Sequence, residues 1–359
     1  MDRADGQHLS HQPVLDGWRA VSIALVIVGH WLPIGPAGLQ LNAATATTGM
    51  AIFFTLSGFL ITSLLLRDPR VEPFLIRRLF RIVPLAWAAV LVLALANNPD
   101  FPTLAAHLLF FANLPPPDLM PGGSHLWSLC VEVQFYAVIG LLVGVLGRRG
   151  LYVLPLLALA VTLARMADGQ AINIVTWYRV DEILAGGCVA LLFDRRQIRG
   201  WMSRPPEWMT LVCVVLLFAS SHPALLEWIG YFRPYFAAAA VASSMLASPV
   251  WLRSILESRP ARYVAQTSYA LYVIHGMLGA TWLGGEGKPI LVRYALRVPL
   301  LVATVALAHL STFQFEARAI RVGKRLAAFR TRTVTVPRKC ATHPSDSTSV
   351  NVVCEDRRP

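Results

Sequence analysis

Ten apolar runs separated by short polar or basic linkers leave this chain little choice of fold. They fall near residues 14–34, 46–66, 82–96, 126–147, 150–166, 174–193, 207–221, 228–248, 264–283 and 291–315. Backbone placed in hydrocarbon must satisfy its own N–H and C=O groups, so such runs become helices. Of the 359 residues, 55% are hydrophobic and 14% charged. A soluble domain carries about 25% charge. The expectation is an all-α polytopic membrane bundle of about ten transmembrane helices, with the lipid bilayer as its solvent.

The linkers orient the bundle, because Lys and Arg accumulate on the cytoplasmic side. Arg67, Arg70, Arg77, Arg78 and Arg81 crowd the linker 67–81, and further basic turns lie at 147–150, 194–204, 253–262 and from Arg318 onward. Loops 35–45, 97–125, 167–173 and 222–227 contain no Lys or Arg, and 284–290 contains only Lys288. This alternation puts both termini in the cytoplasm, provided that FPTLAAHLLFFANL (101–114) does not cross. A span needs roughly 20 residues, so 101–114 reads as a re-entrant or interfacial segment on the outer side. The net charge of +12 is therefore a topology signal with no basic face for nucleic acid. The polar start MDRADGQHLSHQP has no basic n-region or cleavage site, so the first run is expected to be an anchor. The expected division is a short cytoplasmic tail (1–13), a membrane domain (14–325) and a disordered cytoplasmic tail (326–359). No internal repeat marks a two-halves transporter. The five cysteines form no CxxC pair, so neither a metal site nor a disulfide framework is expected.

Ionisable groups inside spans cost roughly 2.5–3.5 kcal/mol each on insertion scales, which makes them functional candidates. Arg19 and His30 lie eleven residues apart in LDGWRAVSIALVIVGHW (15–31). At 100° per residue they share one helix face, about 16 Å apart along the axis. From the residues alone, Arg19 is a snorkelling anchor or an inner-mouth cation, and His30 is an interhelical hydrogen bond or a base. SHLWSLCVEVQFY (124–136) buries Glu132 near Trp127, Ser128, Gln134 and Tyr136, and its carboxylate needs an Arg or His partner from another helix. Arg77, Arg78 and Arg81 in FLIRRLFRIVP (74–84) serve topology or clamp the phosphates of a nucleotide-bearing cofactor. Arg179, Asp181, Arg233 and His275 are further polar groups in spans. Arg179 and Asp181, two residues apart, diverge and are expected to pair elsewhere. Ser57–Gly58 permits close helix approach. No GxSxG, HExxH, Walker or GxGxxG motif is present.

Taken in order, LDGWRAVSIALVIVGHW, FFTLSGFLIT, RRLFRIVP, HLWSLCVEVQFY, SYALYVIH and a weak FEARAIRVGKR resemble the acyltransferase 3 family. These are bacterial membrane enzymes that O-acylate sugars and glycans. The resemblance covers most of residues 13–320 and implies about ten helices with cytoplasmic termini, in the bacterial cytoplasmic (inner) membrane. It further implies transfer from acetyl-CoA, or a related short acyl-CoA, to a carbohydrate hydroxyl. His30 is then the catalytic base, with Arg19 at the inner mouth and Glu132 orienting the imidazole. Arg77, Arg78 and Arg81 hold the donor, while Trp127, Ser128, Gln134, Tyr136 and His275 line the substrate site. The sequence departs from the family pattern at Ala51, Val133 and Arg318, where an acidic residue, a second glutamate and a proline are usual. Two other classes stay open: a proton-coupled glycan transporter or flippase using His30, Glu132 and His275 as a relay, and a structural subunit of a glycan-assembly complex.

Overall fold

The computed structural model describes residues 12–194, 205–225 and 227–334, and these form helices with no strand. The longer helices are α1 (Pro13–Trp31), α2 (Leu41–Arg67), α3 (Val71–Asn97), α4 (Phe101–Leu108), α5 (Trp127–Leu146) and α6 (Leu154–Ala167). A single turn, α7 (Thr176–Arg179), leads into α8 (Asp181–Asp194), followed by α9 (Trp208–Ser221) and another turn, α10 (Glu227–Gly230). The remainder are α11 (Arg233–Leu246), α12 (Val250–Leu256), α13 (Arg259–Gly279), α14 (Ile290–Leu310) and α15 (Ala317–Val334). The first eleven residues, the basic turn at 195–204 and residues 335–359 lie outside the described residues. Helix α15 runs past residue 326, where the disordered tail was expected to begin.

Helix occupies each of the ten expected runs, but among the described residues length and apolarity qualify only five segments to cross a membrane. A sixth qualifies if α11 and α12, bent by 101°, count as one span. Helices α6, α8, α9 and α11 have 14 residues each, about 21 Å against a hydrocarbon core of about 30 Å. Helix α13 is long enough, but Gln266, Thr267, Ser268 and His275 lower its apolarity. Its Thr267, Ser268 and His275 face the protein interior, where they are buried. The chain is a multi-pass membrane protein.

Small residues set the closest helix contacts. A Cβ at Gly58 on α2 would stand 1.8 Å from the Ile183 carbonyl oxygen, and one at Gly186 on α8 would stand 1.9 Å from that of Thr55. The two glycines therefore bring α2 and α8 into backbone contact, as the Ser57–Gly58 pair suggested. Between α1 and α2, a Cβ at Gly29 would meet the Ala46 nitrogen at 2.7 Å. Asn42 on α2 closes the α1 C-terminus by donating to the Gly29 carbonyl at 2.8 Å and to that of Leu32, and by accepting from the Ile34 N–H at 3.1 Å. This cap fixes the last turn of α1, which carries His30.

Segment 101–114 begins with the eight-residue α4, too short to cross, and continues as irregular chain to α5. Irregular backbone inside a membrane protein survives only where protein satisfies it. Trp87 donates to the Leu108 carbonyl at 2.9 Å, and buried His107 accepts from the Met120 N–H at 3.3 Å. Asn113, fully buried, donates to the Ile174 carbonyl at 3.0 Å and to Thr176 at 2.8 Å.

Gly186→Ala is expected to lower the thermal midpoint of the detergent-solubilised protein, since overpacking costs about 1–3 kcal/mol. Gly38→Ala, where an added Cβ meets nothing within 4 Å, is the control. Equal midpoints for the two variants would contradict the close α2–α8 contact.

Candidate active site

The C-terminal turn of α1 opens on a cavity of about 740 Å³, lined by His30, His125, Trp127, Arg179, Tyr272 and His275 among others. The three imidazoles form a cluster. The His30 and His275 rings stack with centroids 5.1 Å apart and 7° between planes, and His125 meets His275 edge-on at 4.9 Å. Hydrogen bonds assign the protons of the neutral rings. A carbonyl can only accept, so His275 Nδ1–H donates to the Tyr272 carbonyl at 2.6 Å. Its Nε2 then carries a lone pair and accepts from His30 Nδ1–H at 2.9 Å. That leaves His30 Nε2 unprotonated, on a ring exposed to the cavity. His125 Nε2–H donates to the Val273 carbonyl at 3.0 Å, so His125 braces α13. Tyr272 donates to the His125 carbonyl at 2.5 Å and accepts from Ser128 at 2.6 Å.

A second, narrow cavity of about 50 Å³ lies at the Arg19 end of the same α1 face. Arg19, Ser57, Arg78, Arg81, Glu132, Tyr136 and Tyr269 contribute to its wall. Glu132 is 6% exposed, and one of its oxygens accepts from Ser57 at 2.5 Å and from Tyr136 at 2.6 Å. Arg19 pairs with Asp16 at 3.2 Å. Three guanidinium groups against two carboxylates, Glu132 in the wall and Asp16 paired to Arg19, leave this wall cationic. Arg78 and Arg81 also line a vestibule of about 250 Å³, where Arg77 and Lys324 of α15 join them. The narrow and large cavities share no lining residue. Phe53, in the wall of one, stacks on Tyr272, in the wall of the other, with centroids 6.1 Å apart and 6° between planes.

The expected residues thus divide into two centres. His30, His275 and Trp127 line the large cavity, whereas Arg19, Arg78, Arg81, Glu132 and Tyr136 line the narrow one and Arg77 lies in the vestibule. The expected link between Glu132 and the His30 imidazole is not made; His275 holds that ring. Glu132 takes neutral hydrogen-bond donors, with the arginines around it. Ser128 lies behind Tyr272, fully buried. Gln134 reaches the irregular segment instead, donating to the Phe110 carbonyl at 2.7 Å and to Asn113 at 3.1 Å.

A third polar group sits beside the large cavity. Arg165 pairs with Asp181, while Arg179 and Arg233 both meet Glu182 Oε1, at 3.3 and 2.7 Å. Asp181 and Arg179 do pair elsewhere, as their spacing implied. Sequence reasoning missed Arg165, Glu182, His125 and Tyr272 as members of these networks. Arg165 ends an apolar run, Glu182 follows Asp181, and His125 and Tyr272 sit inside the motifs 124–136 and 268–275, none of them with a spacing signal. Gln134→Ala would remove two hydrogen bonds worth about 1 kcal/mol each. Faster limited proteolysis within 109–123 is the expected result; an unchanged cleavage rate would deny Gln134 its anchoring role.

A sequence model describing an acyltransferase domain matches residues 13–312. A Bacillus subtilis protein provisionally named peptidoglycan O-acetyltransferase YrhL is 26% identical, over 88% of this chain and 56% of its own length. Peptidoglycan O-acetyltransferase OatA of Listeria monocytogenes is 22% identical over 77% of this chain and 50% of its own. A Staphylococcus aureus protein provisionally named an O-acetyltransferase is 23% identical over 74% and 50%. The chain spans about half the length of these curated relatives. No solved structure matches it. With its matched region covering nearly all of the described bundle, the chain belongs to the acyltransferase 3 family.

Proposed function

We propose that this chain is an O-acyltransferase of the bacterial cytoplasmic membrane. It moves an acetyl or other short acyl group from acyl-CoA to a hydroxyl of a cell-surface carbohydrate. The observation that carries this reading is the free His30 Nε2, facing a cavity large enough for a saccharide, on the helix face that also bears Arg19. The names of the Listeria and Bacillus relatives favour a cell-wall or surface-glycan acceptor.

In this reading the CoA phosphates meet Arg77, Arg78, Arg81 and Lys324 in the vestibule, where guanidinium forks suit phosphate oxygens. Arg19 completes the cationic wall further in. The acyl-bearing arm follows α1 for about 16 Å, passing Phe53 and Tyr272. In the large cavity His30 Nε2 takes the proton of the acceptor hydroxyl as its oxygen bonds to the thioester carbonyl carbon. His275 Nε2 accepts from His30 Nδ1–H and so keeps the ring turned with Nε2 toward the cavity. The C–S bond then breaks, and the imidazolium returns its proton to the CoA thiolate. Glu132, held by Ser57 and Tyr136, balances part of the arginine charge.

His30→Ala is expected to abolish transfer of radiolabelled acetyl from acetyl-CoA to glycan, with unchanged protein in the membrane. General-base removal typically costs 10²–10⁴-fold, roughly; turnover within about tenfold of wild type would sink the assignment. His275→Ala should lower kcat and leave acetyl-CoA binding intact. Arg78→Gln should instead weaken binding of acetyl-CoA more than that of its dephosphorylated pantetheine analogue. Movement of an unmodified glycan across the membrane, with no acetyl incorporated, would support transport.

A further inference from the structure

Arg179 is 3% exposed and yet its buried Nε and Nη1 atoms have no hydrogen-bond partner. It lies over the adjoining rings of Phe54 and Trp127, its guanidinium carbon 5.8 and 5.5 Å from the two ring centroids. The one carboxylate within 4 Å of it among the described residues is Glu182, whose Oε1 stands at 3.3 Å and is also engaged by Arg233 at 2.7 Å. With Arg165 paired to Asp181, the cluster holds three arginines against two carboxylates, all buried. One positive charge is left over, and Arg179 is its member in the wall of the histidine cavity.

A buried cation without hydrogen bonds is costly in a low dielectric, and the cost is relieved by an anion that supplies acceptors. The same wall repeats the sign. Arg293 and Arg297, one turn apart on α14, line the cavity, and no carboxylate among the described residues pairs with either. Glu286 is the only carboxylate in that lining. A neutral sugar would leave this charge uncompensated, while a sugar bearing an oxyanion would answer it. Planar guanidinium groups suit both carboxylate and phosphate.

Resting on the acyltransferase reading above, we propose that the acceptor is an anionic glycan. Arg179 receives its carboxylate or phosphate, and Arg293 and Arg297 guide it in. Arg179 is thereby a specificity-determining residue, separate from the donor-binding arginines of the narrow cavity and vestibule.

The test uses the full chain in proteoliposomes with radiolabelled acetyl-CoA and glycan extracted from cells lacking the protein. One portion of glycan is left intact, one is carboxyl-amidated with carbodiimide and ammonia, and one is treated with phosphatase. A charge-assisted hydrogen bond is worth about 1.5–3 kcal/mol, so one of the two treatments should cut transfer by about tenfold or more and thereby name the anion. In Arg179→Gln the discrimination between intact and treated glycan should collapse, through a raised acceptor KM. Equal transfer to all three portions by the wild-type chain overturns the proposal and leaves the acyltransferase reading standing. A uniform loss of kcat on every portion in Arg179→Gln also overturns it, in favour of a role in the chemical step. No transfer to any portion, with none to total cell glycan, counts against the acyltransferase reading itself. Should Arg179→Gln fail to fold, the wild-type comparison decides alone.

Discussion

A charge or polar group taken into this bundle must find its partner there, and that constraint organises the structure. The arginines of the Arg165–Asp181 and Arg179–Glu182–Arg233 cluster tie α6, α7, α8 and α11 together. Glu132 joins α5 to α2 through Ser57, and Asn113 and Gln134 fasten the irregular segment to the bundle. Breaking one side of a buried pair costs about 3–5 kcal/mol, so these networks act as staples where lipid gives helices no hydrophobic reason to associate.

The same constraint separates two centres on one helix face. Arginines gather at one end of α1, where Arg19, Arg78 and Arg81 share a wall with Glu132. Imidazoles gather at the other, where no carboxylate among the described residues pairs with His30 and His275 orders its proton. The stacked Phe53 and Tyr272 rings stand between them.

Much of the fold is legible in the residues because hydrophobic length and helical periodicity are local. All ten apolar runs carry helix, and the short run 101–114 holds only an eight-residue helix. Gly58 makes the close contact its smallness implied, and the Arg19-to-His30 spacing does place the two on one face toward successive cavities. What misled was partner choice. Glu132 needed a partner, and the residues named Arg or His as candidates, but Ser57 and Tyr136 supply it. Ser57 read as a packing residue because a serine's role depends on what faces it across the interface. Gln134, which the resemblance puts in the substrate site, has an amide that donates to the Phe110 carbonyl and to the Asn113 side chain.

The sequence by itself determined that this chain forms membrane helices, which residues share a helix face and where basic linkers fall, since each depends on residues a few positions apart. Only the tertiary structure decided that His275 rather than Glu132 orients His30, and that Arg179 faces the cavity with charge to spare. Those pairings join residues far apart in the chain, 245 positions in the case of His30 and His275. Helix crossings, which no local pattern encodes, bring them within hydrogen-bond reach.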